Sequence, residues 1–435
     1  MGARETALHV LMACRTEEGW SNAVLKDYII RDRLDRRDAA LATRLCYGVL
    51  QNRLKLDFYL QQLLTGKLKD LHPVVRDILH LGLYQLLELD KVPSSAAVNE
   101  SVELAKKYCK KQRYAPGLVN AVLRKASTAT LKEPTGWQEV YSHPQELIDL
   151  LKSYVPKGTL EGLLKAHNDA PDTVAQVNTL KISTEELVQR LAGEGVSVRP
   201  HGWMPNCLIL QNPGNLEALP SFREGLFYIQ DAAAKLSVLC AELPQNGRVL
   251  DCCAAPGGKS FAAAIAMGGT GSITSCDIYE HKATLIAKGA QRLGIENITP
   301  RQLDATTHIS EWEGQLDAVI ADVPCSGLGI IRKKPDIRYK NLQEMKNLPA
   351  LQLEILKNVA TYVRPGGTLL YSTCTLVRAE NEGVVEAFLE KHPDFSLEKL
   401  PLPAEFPENE SGMLALIPGQ HDTDGFFIAK MRRKL

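Results

Sequence analysis

The chain has no apolar run approaching the roughly 18 residues that a membrane-spanning helix needs. It has no excess of either charge, with 51 lysines and arginines against 51 acids, and no C-x-x-C pair among its ten cysteines. With 45% hydrophobic and 23% charged residues, the first absence predicts a soluble protein that does not enter membranes. The N-terminus also lacks the basic, then apolar, then small-residue order of a secretory leader, so a cytoplasmic location is expected. Met1-Gly2 with Thr6 fits the loose myristoylation pattern, but that segment reads as the first turn of a helix. The cysteine spacing excludes a disulfide framework and a structural zinc site, and no metal is expected. Cys14, Cys46, Cys109, Cys207 and Cys240 lie in apolar contexts suited to inert buried thiols. Neither G-x-G-x-x-G nor G-x-x-x-x-G-K-[ST] occurs, which argues against a nucleotide-dependent oxidoreductase.

What is present divides the 435 residues into about three domains. The zero net charge hides an asymmetry: residues 1–128 hold 21 lysines and arginines against 14 acids, and the remainder 30 against 37. A basic module joined to an acidic one suggests that the first grips a polyanion. Apolar residues recur there at three- and four-residue spacing (Leu8, Leu11, Met12; Leu41, Leu45, Val49; Val74, Ile78, Leu81; Leu118, Val122), which predicts helices throughout. Pro73 and Pro93 fall at helix starts, and Pro116-Gly117 separates the last two. The closing portion, from Ser94-Ser-Ala-Ala-Val-Asn-Glu and then Pro116-Gly-Leu-Val-Asn-Ala-Val-Leu-Arg, resembles the RNA-binding domain of the NusB antitermination factor. Lys106, Lys107, Lys110, Lys111 and Arg113 interleave with Tyr108 and Tyr114, a pattern suited to phosphate contact and stacking on unpaired bases; a solvated helix end with lysines near its dipole is the alternative.

Residues 129–232 read as a small mixed α+β segment. Val174-Ala-Gln-Val-Asn and Cys207-Leu-Ile-Leu are strands, and Ser183 with Glu186 forms a capping box ahead of a helix. From 233 to 435, short apolar runs at Val249–Cys253, Ser272–Asp277, Ala318–Asp322 and Thr368–Ser372 alternate with helix-length stretches such as His281–Leu293 and Met345–Val363. That alternation predicts an α/β, Rossmann-like domain with an open, doubly wound parallel sheet. Ligands on such sheets bind at the carboxyl ends of the strands.

The chemistry-bearing motifs lie at those ends. Arg248-Val-Leu-Asp-Cys-Cys-Ala-Ala-Pro-Gly-Gly-Lys-Ser is a strand, a small-residue turn and a helix start, where Gly257 and Gly258 let the backbone approach a ligand. Asp277 is placed to accept the hydroxyls of a ribose, and Asp304 could take an adenine amino group. Two cysteines follow later strands: Cys325 in Asp322-Val-Pro-Cys-Ser-Gly and Cys374 in Tyr371-Ser-Thr-Cys-Thr. A thiolate beside a nucleotide-type loop equips a protein to attack an electron-poor ring and alkylate it. The run Ile331-Arg-Lys-Lys-Pro-Asp-Ile-Arg-Tyr-Lys carries five cations. Arg332, Lys333 and Lys334 could steer phosphate towards the site; an inert surface loop is the alternative.

Taken together, the segment from Arg248 to Asp304, Asp322-Val-Pro-Cys-Ser-Gly-Leu-Gly, Tyr371-Ser-Thr-Cys-Thr-Leu, Glu380-Asn-Glu and Asp424-Gly-Phe-Phe-Ile-Ala-Lys resembles the S-adenosylmethionine-dependent RNA cytosine-5 methyltransferases of the Nop2/NSUN/Fmu group. With the NusB-like front, the likeness covers nearly the whole chain. It implies that Cys253, Ala254, Ala255, Pro256, Gly257, Gly258, Lys259, Asp277, Asp304 and Asp322 hold S-adenosylmethionine and that Cys374 is the nucleophile. It also implies an RRM-like middle segment and small-subunit ribosomal RNA as partner, with transfer RNA the alternative substrate and a non-catalytic RNA-binding adaptor the alternative of another class. Cys252, Val323 and Thr375 depart from the family pattern by small or isosteric changes. Cytosine C5 is too weak a nucleophile to take a methyl group from a sulfonium directly, so a thiolate must first add at C6. Asp322 could then stabilise the adduct, and Cys325 could assist its release. The chemistry alone does not say which cysteine attacks. A monomer is the simplest expectation.

Overall fold

The computed structural model describes residues 1–16 and 21–435. They form two compact units, one of Met1–Ser153 with Ile331–Lys340 and the other of Tyr154–Ile330 with Asn341–Leu435. No helix among the described residues is long and apolar enough to cross a membrane.

The first unit is helical. Its main helices are Ala3–Thr16, Ser21–Arg31, Arg36–Leu63, Pro73–Glu88, Ser94–Tyr108 and Ala115–Ala126. Pro73 opens its helix and Pro116 sits in the first turn of the last one, positions where a missing N–H costs nothing. Leu45, Leu60, Ile78, Val119 and Leu123 meet in a shared core. Gly48 permits the closest approach: a Cβ there would lie 2.0 Å from the Tyr84 ring. Asp57 is the polar anchor, accepting from His80 Nε2 at 2.7 Å and Arg76 Nε at 2.9 Å. Burial alone would raise its pKa, and these two partners reverse the shift, holding the carboxyl below its ordinary range.

The segment Ile331–Lys340 is not the wholly exposed loop that its five cations suggest. Ile331, Pro335, Ile337 and Arg338 are buried, while Arg332, Lys333 and Lys334 are half-buried. Arg338 Nη1 lies 3.0 Å from the carbonyl oxygen of Gln51 and within 3.4 Å of those of Tyr141 and Ser142. Its guanidinium is pushed down to about 10 by burial. Arg53 sits over the Tyr339 ring. Three buried apolar side chains, Ile331, Pro335 and Ile337, draw this cationic run partly into a core.

The second unit holds two sheets. Strands β1 (Thr173–Val177), β2 (Ser197–Pro200), β3 (Cys207–Gln211) and β4 (Phe227–Ile229) make an antiparallel sheet in the order β2-β3-β1-β4. The helix Thr184–Gly193 beside it begins with the Ser183–Glu186 capping box. The larger sheet contains β5 (Arg248–Asp251), β6 (Ser272–Asp277), β7 (Ile298–Gln302), β8 (Leu316–Asp322), β9 (Val363–Thr373), β10 (Phe395–Leu397), β11 (Met413–Leu416) and β12 (Phe426–Arg433). Its order is β10-β12-β9-β8-β5-β6-β7, with β11 on β12. β7, β6, β5, β8 and β9 run parallel, and their continuous apolar segments, such as Val319-Ile-Ala and Leu369-Leu-Tyr, are buried as a sheet covered on both faces requires. The sheet is mixed rather than wholly parallel: β12 pairs antiparallel with β9, β10 and β11. The connection from β11 to β12 is too short for a crossover helix, so the chain returns antiparallel. Strand order reverses at β5, which puts a crevice at the carboxyl ends of β5, β6 and β8.

Candidate active site

The turn after β5 is held by its neighbours on both sides. Cys252 N–H donates to the Ile320 carbonyl at 3.0 Å and Ala254 N–H to the Cys276 carbonyl at 2.7 Å. The chain then tightens through Gly257, whose φ of +108° favours glycine. A Cβ at Gly257 would lie 2.5 Å from the Phe261 ring, and one at Gly258 would lie 2.9 Å from the Gln230 amide nitrogen. Helix Gly258–Ala266 starts here, its first N–H groups uncommitted within the helix.

Asp251, at the end of β5, is a structural carboxyl that the motif contains but that sequence reasoning gave no role. It is fully buried and accepts from Ser260 Oγ at 2.7 Å; Ser275 Oγ donates to Ser260 Oγ at 2.7 Å. Strand, loop helix and β6 are thereby tied through one carboxyl, whose pKa burial pushes up to about 7. Because this value lies above that of an unfolded aspartate, the stabilisation is complete below about pH 4 and is lost as the pH rises to about 7. Asp251→Asn is expected to flatten that decline by at most about 4 kcal/mol, measured as the difference in urea midpoint between wild type and variant from pH 4 to 7.5.

Two further acids follow on β6 and β7. Asp277 Oδ1 takes the Tyr279 N–H at 3.1 Å and faces Lys282 Nζ at 3.6 Å. Asp304 Oδ1 takes both the N–H (2.9 Å) and the hydroxyl (2.8 Å) of Thr306. In each, Oδ2 has no hydrogen bond among the described residues. The Leu303 N–H, bonded to the Asp277 carbonyl at 3.0 Å, brings the two acids together. A pair of carboxylates with one oxygen fixed and one open suits the hydroxyls and amino group of an adenosine. The glycine cradle suits close backbone approach to the same ligand.

On the other side of β5, Asp322 ends β8. Its Oδ2 meets Lys259 Nζ at 2.7 Å and its Oδ1 accepts from Ser372 Oγ at 2.8 Å. Burial would lower the lysine, but the charge and hydrogen bond of Asp322 outweigh it, with Asp251 and Cys374 contributing, and Lys259 is held above the ordinary lysine range. Its ammonium also lies 5.1 Å from the centre of the Phe426 ring. Beyond Asp322 the two loops bearing Cys325 and Cys374 converge, with the sulfurs 3.2 Å apart. None of the ten cysteines forms a disulfide. The Cys325 thiol is pushed well up by its hydrogen bond to Cys374, then by burial and by the negative charges of Cys374, Glu380 and Asp322.

The cations of the first unit divide. Lys107 pairs with Glu5, which also accepts from Tyr108, and Lys106 pairs with Glu103 at 2.7 Å. Lys110, Lys111 and Arg113 are exposed and make no ion pair among the described residues. Sequence reasoning missed Asp251, Ser260, Ser275 and Ser372, and it quoted Glu380 and Asn381 without a role. A buried serine or aspartate at a strand end carries no local sign of its partner.

A doubly wound sheet with a glycine turn at its reversal point, acids on the neighbouring strands and a cysteine pair beyond them defines a nucleotide-cofactor methyltransferase fold, and three family matches are consistent with it. Residues 238–432 match the 16S rRNA methyltransferase RsmB/F family, residues 1–128 the NusB family, and residues 143–217 the ferredoxin-like domain of RsmF/B-like methyltransferases. The probable ribosomal RNA small subunit methyltransferase B of Bacillus subtilis is 36% identical over 99% of this chain and 98% of its own length. The ribosomal RNA small subunit methyltransferase B of Escherichia coli O1:K1 is 32% identical over 93% of each chain. Among solved structures, PH0851 matches with a TM-score of 0.83 at 25% identity, covering 100% of this chain and 99% of that one. A methyltransferase homologue from Pyrococcus horikoshii matches with a TM-score of 0.59 at 28% identity, covering 69% and 98%. The chain belongs to the RsmB/F family of methyltransferases, and it is an S-adenosylmethionine-dependent enzyme.

Proposed function

We propose that this enzyme methylates C5 of a cytosine in 16S ribosomal RNA through a transient bond between the Cys374 sulfur and C6 of the base. The observation that carries the reading is the sulfur pair at 3.2 Å beside the Lys259–Asp322 ion pair. The Cys325 thiol is pushed up by its hydrogen bond to Cys374 and by burial, which suits it to donate, and Cys374, whose charge is felt by the Lys259 ammonium, is the sulfur assigned to attack. The family relatives' names supply the RNA class.

S-adenosylmethionine supplies an electrophilic methyl group. Cys253–Lys259, Asp277 and Asp304 would hold it by the turn and the open carboxylate oxygens described above. Cys374 donates an electron pair to C6, and the C5–C6 π pair becomes available at C5 to take a methyl group, the donor's S–CH3 bonding pair remaining on its sulfur as a neutral thioether. The C5 proton then leaves to solvent, its bonding pair restores the C5–C6 double bond, and the S–C6 bond breaks with its pair returning to Cys374. The Cys325 S–H stabilises the departing thiolate by hydrogen bond. Asp322, fixed by Lys259 and Ser372, accepts a hydrogen bond from the exocyclic amine and orients the ring. Reaching an atom inside a stack requires the base to be unstacked first. Lys110, Lys111 and Arg113, with Lys106, Lys107 and the half-buried Arg332, Lys333 and Lys334, supply the cations for RNA contact. In this reading the enzyme works as a monomer in the cytoplasm.

The test is incorporation of labelled methyl groups into unmodified 16S rRNA and into transfer RNA, followed by bisulfite sequencing. One protected cytosine in 16S rRNA is expected. Label in transfer RNA alone would move the substrate to that class, and label that leaves every cytosine bisulfite-sensitive would overturn the C5 chemistry.

A further inference from the structure

Loops that carry nucleophiles have no ladder of their own, so side chains must fix their shape. The two cysteine loops are fixed by two adjacent residues, one for each loop. Glu380 is buried, and its Oε2 accepts from the Ser326 N–H and from Gln352 Nε2, each at 2.9 Å. Gln352 Nε2 also lies 2.9 Å from the Pro324 carbonyl. The residues on either side of Cys325 are therefore anchored to one carboxylate and the amide it orients. Asn381, also buried, accepts from Thr373 Oγ1 at 2.6 Å and donates from Nδ2 to the Thr375 carbonyl at 3.0 Å. The residues on either side of Cys374 are anchored to one amide.

The dipeptide is itself held. The Tyr371 hydroxyl donates to the Glu380 carbonyl at 2.5 Å, and helix Glu382–Lys391 starts directly after it. Ser326 Oγ and Thr375 Oγ1, 2.7 Å apart, join the two loops to each other. Thr375 supplies the hydroxyl this bond needs.

We infer that Glu380 and Asn381 are a paired positioning device, Asn381 setting Cys374 for attack and Glu380 setting Cys325 for release of the product. The inference rests on the proposed covalent route. Neither residue touches substrate; each acts through the peptide units flanking a sulfur. A misplacement of about 1 Å at a reacting atom costs roughly 100-fold, so each loss should appear in one step and not in the other.

The experiment separates the two steps on the full-length protein. Covalent complex formation with 5-fluorocytosine-containing 16S rRNA reports attack; turnover on ordinary 16S rRNA, with the amount of covalent complex that accumulates, reports release. Asn381→Ala is expected to slow complex formation about 100-fold, with the KM for S-adenosylmethionine unchanged. Asn381→Asp, which keeps the acceptor for Thr373, should recover part of that rate. Glu380→Ala is expected to form complex at near the wild-type rate and to accumulate it on ordinary RNA. Glu380→Gln, which keeps an acceptor for Ser326, should restore release, and it should lower the pH at which iodoacetamide alkylates Cys325, because a negative charge facing that thiol is removed. A purely structural role would lower thermal stability and slow both steps alike, without moving the Cys325 alkylation profile; that result overturns the inference. Failure of the wild-type protein to form any complex with 5-fluorocytosine RNA would instead remove the covalent route, which distinguishes the two failures.

Discussion

Cys374→Ala is expected to lose methyl transfer by about 10⁴-fold or more and to form no covalent complex with 5-fluorocytosine RNA, while Cys325→Ala still forms it. The asymmetry follows from the sulfurs' surroundings rather than from their separation, which they share. The Cys325 thiol is pushed well up by its hydrogen bond to Cys374, by burial and by nearby negative charge, so near neutral pH it is a donor. Cys374 lies within the field of the Lys259 ammonium, as its effect on that lysine shows. Removing the donor leaves the attacking thiolate in place and takes away the hydrogen bond that stabilises it as a leaving group. Cys325→Ala should therefore accumulate complex even on ordinary cytosine, seen as a slow band in a denaturing gel. Complex formation by Cys374→Ala, with none by Cys325→Ala, would reverse the two roles.

Gly329→Ala carries the second large effect and needs no assumption about chemistry. A Cβ at this buried position would fall 2.1 Å from the Gly425 carbonyl oxygen and 2.8 Å from the Cys374 carbonyl oxygen. Both obstacles are backbone, so no rotamer can relieve the contact. The Gly329 N–H donates to the Cys374 carbonyl at 2.9 Å, and its own carbonyl accepts from Gly425 at 2.8 Å. The Cys325 loop, the Cys374 loop and the start of β12 meet in this arrangement. The substitution is expected to destabilise by about 3 kcal/mol, at the upper end of overpacking. If the protein folds, the backbone that yields includes the peptide of Cys374, and kcat should fall about 100-fold. Urea denaturation and initial rates measure the two effects. Gly117→Ala is the control: it lies in a helix, its Cβ meets nothing within 4 Å, and it should be neutral or stabilising by up to about 1 kcal/mol. Equal midpoints for the two variants would show that the close approach at Gly329 is not rigid.

The parts of this architecture legible in the sequence are those written in short windows. The turn from Asp251 to Lys259 shows itself through a strand, small residues and two glycines, and the strands ending at Asp277, Asp322 and Thr373 through apolar runs closed by polar residues. The cap at Ser183 needs only four residues to be recognised. What escaped is pairing at long range. Nothing near Lys259 announces Asp322, 63 residues away, and nothing near Asp251 announces a hydrogen-bond chain that runs through Ser260 to Ser275 on another element. The stretch that forms β12 draws notice only as part of the family motif from Asp424 to Lys430, and its antiparallel direction depends on where the chain has already been. The Ile331–Lys340 run misleads for a related reason. Its five cations suggest solvent, whereas Ile331, Ile337 and Arg338 are buried, and three carbonyls from residues distant in sequence accept from Arg338 Nη1. The lysine cluster at 106–113 is split by Glu5 and Glu103, acids that a count of charges treats as background.

The excursion of the chain at Ile331–Lys340 also bears on the order in which a ribosome delivers this protein. Domains ordinarily fold as they emerge, the N-terminal one first. Here the leading unit lacks Ile337 and Arg338 until position 340 has emerged from the ribosome, by which time β5 through β8, which precede it in the chain, have emerged as well. Its last stage of folding must therefore wait for most of the second unit to be synthesised, and a fragment ending at Ser153 would expose the Gln51, Tyr141 and Ser142 carbonyls that the arginine would have covered.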